Sequence, residues 1–79
     1  ARIEYGIPAQ SGDAPVRLRV YDASGHLVRT LIDETQPPGY HSAVWNGRDE
    51  HGRLAPGGVY FYGLDLGGRQ LSRQLVLIR

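Results

Sequence analysis

Seventy-nine residues suffice for one small domain, whose buried surface leaves a narrow margin over chain entropy, so its stability must come from a single well-filled core. Cysteine is absent and all nine basic residues are arginine, which excludes disulfide staples, thiolate metal sites and lysine chemistry such as Schiff bases and isopeptide crosslinks. Eight carboxylates offset the nine arginines to a net charge of +1, far from the basic footprint of a nucleic-acid binder, and no apolar run reaches the roughly 18 to 20 residues of a membrane-spanning helix.

In chain order, Ile3, Tyr5 and Ile7 alternate with Arg2, Glu4 and Gly6, the period of a half-buried strand, and Pro8 closes it. Residues 9–15 read as a surface loop. Val16, Leu18 and Val20 then oppose Arg17, Arg19 and Tyr21, the clearest amphipathic alternation in the chain. Asp22-Ala23-Ser24-Gly25 follows as a turn in which Asp22 accepts from backbone N–H groups and Gly25 takes φ > 0. A third strand is predicted over 27–32, a loop stiffened by Pro37-Pro38 over 33–39, and a fourth strand over 40–45 with His41, Ala43 and Trp45 on one face. Asn46-Gly47 opens a long corner punctuated by Gly52, Pro56, Gly57 and Gly58. The chain resumes as a fifth strand over 59–66 with Tyr60, Tyr62, Leu64 and Leu66 on one side. Gly67-Gly68 signals a hairpin into a sixth strand over 71–78. No segment keeps a 3.6 period long enough for a helix, and six or seven short strands at this spacing argue an antiparallel β-sandwich.

The pattern G-x-H-x-x-x-W-N-G-R-D-x-x-G from Gly39 to Gly52, followed by P-G-G-V-Y-F-Y from Pro56 to Tyr62, resembles the Ig-like domain of the flagellar hook-capping protein. The opening I-E-Y-G-I-P, the hairpin V-R-L-R-V-Y-D-A-S-G-H-L-V-R-T-L and the closing L-S-R-Q-L-V-L-I-R are similar to that family as well. Asn46 stands where the family usually shows aspartate, which keeps the turn chemistry and removes a charge. The resemblance implies an all-β, Ig-like or fibronectin III-like sandwich of about seven strands, one domain over 1–79. It also implies a non-catalytic module at the C-terminal end of a secreted bacterial protein, extracellular, cell-surface or periplasmic. Relatives of this kind include sorting domains of the type IX secretion route. The start Ala1-Arg2-Ile3-Glu4 has no apolar signal-peptide core, so the chain reads as part of a longer polypeptide or as a mature fragment without its leader.

Trp45, Tyr60, Tyr62, Leu18 and Val20 are the expected core, with Trp45 as the anchor between sheets rather than a sugar-stacking platform. Asp22, Gly25, Asn46, Gly47, Gly52 and Gly58 are the expected turn residues. The oxygens of residues 46–52 invite comparison with a calcium loop. They lack the alternation and the bidentate glutamate of an EF-hand, and read as a turn network in which Arg48 or Arg53 pairs with Asp49. His26, His41 and His51 have no ligand spacing and no nucleophile elbow, so no catalytic, metal or cofactor residue is assigned. Arg17, Arg19 and Arg29 read as a solvated face, paired with Glu4 or Asp33.

Leu75, Val76, Leu77 and Ile78 are apolar at successive positions, which implies cover on both faces, from inside the sandwich or from another protein. They are the candidate interaction residues. The expected partner is a protein: secretion or assembly machinery, or neighbouring copies in a homo-oligomer. Export, anchoring or assembly is the leading function. An appendage subunit polymerising through edge strands is the alternative, and a carbohydrate-binding module comes third.

Overall fold

The computed structural model describes residues 1–79 and contains six strands: β1 (Arg2–Ile7), β2 (Ala14–Asp22), β3 (Leu27–Gln36), β4 (Gly39–Val44), β5 (Gly58–Leu66) and β6 (Arg69–Leu77). One 3-10 turn, Ala9–Ser11, lies between β1 and β2. Two antiparallel sheets face each other, a two-stranded β1-β4 and a four-stranded β3-β2-β5-β6. The result is an all-β, Ig-like sandwich of six strands instead of the expected seven or so. The stretch between β4 and β5 accounts for part of the difference. Its turn glycines and Pro56 leave a single bridge, Arg48 to Leu54, where a further strand would have to form.

The alternation of β2 decides the interior. Val16, Leu18 and Val20 are buried while Arg17 faces solvent and Arg19 is half-buried, and β2 is hydrogen-bonded on both sides, to β3 and β5. Ile3, Tyr5 and Ile7 from β1 meet Ala14, Val16, Leu18 and Leu64 in one cluster. Val20, Trp45, Ala55 and Tyr60 form a second. Tyr62, placed in the core by its parity, is half-buried and packs against both clusters, so it joins them at their boundary.

Several expected boundaries move, and β2 already begins at Ala14, inside the loop expected over 9–15. The third strand runs to Gln36 instead of ending at 32, because Ala14, Pro15 and Val16 offer register partners to Gln36, Thr35 and Glu34. Pairing overrides the weak strand propensity of Asp33 and Glu34, and the loop expected over 33–39 shrinks to the Pro37-Pro38 link. The sixth strand starts at Arg69, since Gly67 and Gly68 (φ 55° and 92°) make the tight turn that a two-residue hairpin requires.

Of the two kinds of cover expected for the last strand, the sandwich itself does not supply the second face. β6 is the outermost strand of the larger sheet, and although Leu75 and Leu77 are half-buried, Val76 is 57 % and Ile78 87 % exposed. An edge strand with one covered face produces this pattern whatever its composition.

Candidate functional site

The corner between β4 and β5 is built on Trp45. Its ring is 1 % exposed, meets Tyr60 edge to face at 5.0 Å between centroids, and donates from Nε1 to the Arg48 carbonyl at 2.9 Å. Tyr60 in turn donates its hydroxyl to the Pro56 carbonyl at 2.5 Å. Both aromatic residues thus bury an apolar body and spend their polar atom on holding the corner's backbone. A stacking platform needs an open ring face, and Trp45 offers none.

Side-chain oxygens organise the turn. Asn46 Oδ1 accepts from the Arg48 N–H (3.1 Å), and Asp49 Oδ1 accepts from the N–H groups of His51 (2.8 Å) and Arg53 (3.0 Å). The bond from the Arg53 backbone is the main reason that the Asp49 carboxyl lies below the usual aspartate range, with the His51 bond adding to it. Asp22 does the same in the β2–β3 turn, where the His26 and Ser24 N–H groups, both at 2.9 Å, lower its carboxyl. The expected ion pair from Arg48 or Arg53 to Asp49 does not form: Arg48 reaches the Gly52 carbonyl instead, at 2.8 Å. A backbone carbonyl lies within reach of the long side chain, while Asp49 is occupied by the N–H groups of its own turn. Gly25, Gly47, Gly52 and Gly58 all have positive φ.

One contact had no signal in the sequence. Arg79 donates from Nε to the Ala55 carbonyl (2.8 Å) and from Nη2 to the Gly47 carbonyl (2.5 Å), tying the chain's last residue to the corner. Gly47 has a second reason to be glycine here, because a Cβ would come within 2.6 Å of that guanidinium. A terminal arginine carries no periodicity and no motif, so only its place in space reveals it.

The histidines are dispersed. His26 Nδ1 lies 3.6 Å from Asp22 in a solvent-facing turn, His41 stacks on Tyr5 with Nε2 at 2.8 Å from the Pro37 carbonyl, and His51 belongs to the corner. On the outer face of the larger sheet, Arg17 pairs with Asp33 at 3.6 Å and Arg19 Nη1 lies 3.4 Å from the Tyr21 hydroxyl. These contacts account for most of the arginine stripe.

The strand edges differ in how they are protected. β3 carries register shifts opposite Leu18/Arg19 and Val20/Tyr21, and the corner is docked on its outer side: the Thr30 N–H donates to the Glu50 carboxylate, and the Glu50 N–H to the Val28 carbonyl at 3.2 Å. Bulges and a plugging side chain are how proteins blunt an edge. β6 has no register shift along its nine pairs with β5, and no residue of the chain pairs with its other side. β1 likewise pairs only with β4.

A two-sheet antiparallel sandwich with one guarded edge, at β3, and unpaired outer edges at β1, β4 and β6 defines an Ig-like module. The chain matches the FlgD Ig-like domain family over residues 2–64, most of its length, and belongs to that family. No curated protein and no solved structure matches it.

Proposed function

We propose that the chain is a non-catalytic assembly module of a secreted bacterial protein, acting outside the cell or in the periplasm by offering a strand edge to a protein partner. Membership of the FlgD Ig-like family, whose type is associated with flagellar hook capping, supports protein–protein assembly as the role. The observation that carries the reading is the contrast between edges. β3 is bulged and plugged by Glu50, while β1 and β6 keep unpaired backbone along a regular strand. A recognising partner can add a strand to such an edge, taking affinity from main-chain hydrogen bonds and specificity from alternate side chains. Leu75, Val76, Leu77 and Ile78 then divide their work: Leu75 and Leu77 pack toward Trp45, and Val76 and Ile78 are left for the partner. Sorting through a secretion route, surface anchoring and polymerisation into an appendage are three settings for this one interaction, and the domain boundary at 1–79 belongs to the same proposal.

The test is to change Val76 and Ile78 to threonine in the parent protein in its own host. A variant that keeps its melting temperature but fails to reach the surface or to assemble supports the reading. A variant that reaches the same place in the same assembly removes these residues from the proposal.

A further inference from the structure

The two sheets are unequal, and the missing part of the smaller one leaves a strand-shaped opening. Leu71 on β6 lies directly opposite Leu64 on β5, so the two share the inward face. Leu64 is 4 % exposed and Leu71 is 49 % exposed. The difference arises because β1 is the last strand of its sheet on that side and nothing lies over the first half of β6. Between them runs a groove of about 190 Å³ lined by Ile3, Glu4, Tyr62, Leu66, Leu71 and Arg73. It continues through Gly6, Leu66 and Leu71 into a wider hollow of about 730 Å³ beside Arg69.

The edge of β1 along this groove has free backbone. Ala1 and Trp45 exchange both main-chain bonds, Trp45 N–H to Ala1 O at 2.9 Å and Ala1 N to Trp45 O at 3.0 Å. Hydrogen-bonded pairs alternate in an antiparallel ladder. The pairs Ile3–Ala43, Tyr5–His41 and Ile7–Gly39 are therefore the bonded ones, and the N–H and C=O groups of Arg2, Glu4 and Gly6 point toward the groove. Arg69 and Arg73 flank Leu71 on the same face of β6, and neither has a carboxylate within salt-bridge distance. They stand four positions apart, roughly 13 Å along a strand. Of the acidic residues on the lining, Glu4 is already paired with Arg2 at 3.3 Å, and Asp13, in the wider hollow, lies beyond salt-bridge distance of either arginine.

We propose that this groove is an acceptor site for an acidic extended segment of a partner protein, which adds as a third strand to the edge of β1, lays an apolar side chain on Leu71 and pairs two carboxylates with Arg69 and Arg73. The two arginines select the occupant: carboxylates four residues apart on one strand face match their spacing, and basic segments are repelled. This rests on the assembly reading above and specifies the partner for its β1 edge, a contact separate from Val76, which has the opposite parity on β6.

The probe is a capped peptide, Thr-Glu-Thr-Val-Thr-Glu-Thr, with a control in which lysine replaces glutamate, each titrated into the 79-residue chain and followed by amide shifts and hydrogen exchange. The glutamate peptide is expected to slow exchange at the amides of Arg2, Glu4 and Gly6, and the lysine peptide to leave them unchanged. Leu71→Glu, at a half-exposed position, should weaken binding by about tenfold or more, and the double variant Arg69→Glu, Arg73→Glu should exchange the preference of the two peptides. Absence of binding at millimolar peptide, protection along β6 instead of β1, or dimerisation of the chain through β1 without peptide would each overturn the proposal. The peptide result does not depend on export or localisation. Binding without any cellular effect of edge mutations would keep the site and remove the assembly function, and the opposite pair of results would do the reverse.

Discussion

Trp45 joins two systems that are separate in the sequence, the second core cluster and the backbone of the corner. Trp45→Ala empties the largest fully buried side chain and frees the Arg48 carbonyl, and should cost roughly 3 to 5 kcal/mol in denaturant titration. A loss below about 1 kcal/mol would show that the ring is not an anchor. Arg79→Ala removes two charge-assisted bonds to the corner and should cost about 1 kcal/mol, read from the same titration. Asp22 and Asp49 belong to the pH behaviour. Each carboxyl is lowered in the fold because backbone N–H groups bond to its ionised form. A carboxylate whose folded pKa lies below its unfolded value of about 3.9 contributes stability that is complete above that value and is lost as the pH falls through the lowered one. Melting temperatures taken from about pH 5 down to pH 2 should therefore fall, and Asp22→Asn with Asp49→Asn should lessen that fall while keeping both turns. An unchanged acid limb in the double variant would contradict the assignment.

At the scale of the element, β6 supplies Leu75 and Leu77 to the Trp45 cluster and is the sole cover for the edge of β5. Deletion of residues 71–79 should leave β5 as a long unpaired edge and give an insoluble or aggregating product. A truncated chain that stays monomeric and melts like the parent would show that the strand is dispensable. How much of this the sequence disclosed follows from what each strand has to bury. The alternation of β2 reports its face directly because that strand lies at the centre, with Leu18 and Val20 covered by both sheets. The apolar run of β6 reports only affinity for cover, and an edge position leaves half of that affinity unmet at Val76 and Ile78. β3 beyond Ile32 was hidden because Glu34 and Thr35 owe their strand geometry to register with Pro15 and Val16 and not to their own preference. The groove beside β1 was hidden more completely. Parity places Leu71 on the inward face, but no one-dimensional pattern states that the facing sheet is one strand short.

Across the whole molecule, an elongated sandwich measuring 39 × 19 × 19 Å with open edges on its two sheets is suited to be extended by another chain's strand. Asn46 Oδ1 and Asp49 Oδ1 accept from N–H groups of the corner and the Glu50 carboxylate from Thr30, so the melting temperature is expected to be the same with calcium and with chelator. A steady rise with free calcium would mean that the corner is a cation site. The account's central claim is that the module works by accepting a partner strand at an open edge. Amide hydrogen exchange, compared between the 79-residue chain alone and the same chain within its parent protein in the native assembly, tests it most directly. The prediction is added protection at the amides of Arg2, Glu4 and Gly6 only in the assembly, with Thr30, whose N–H is already bonded to Glu50, the same in both. Identical exchange at the edges of β1 and β6 in the two states would contradict it.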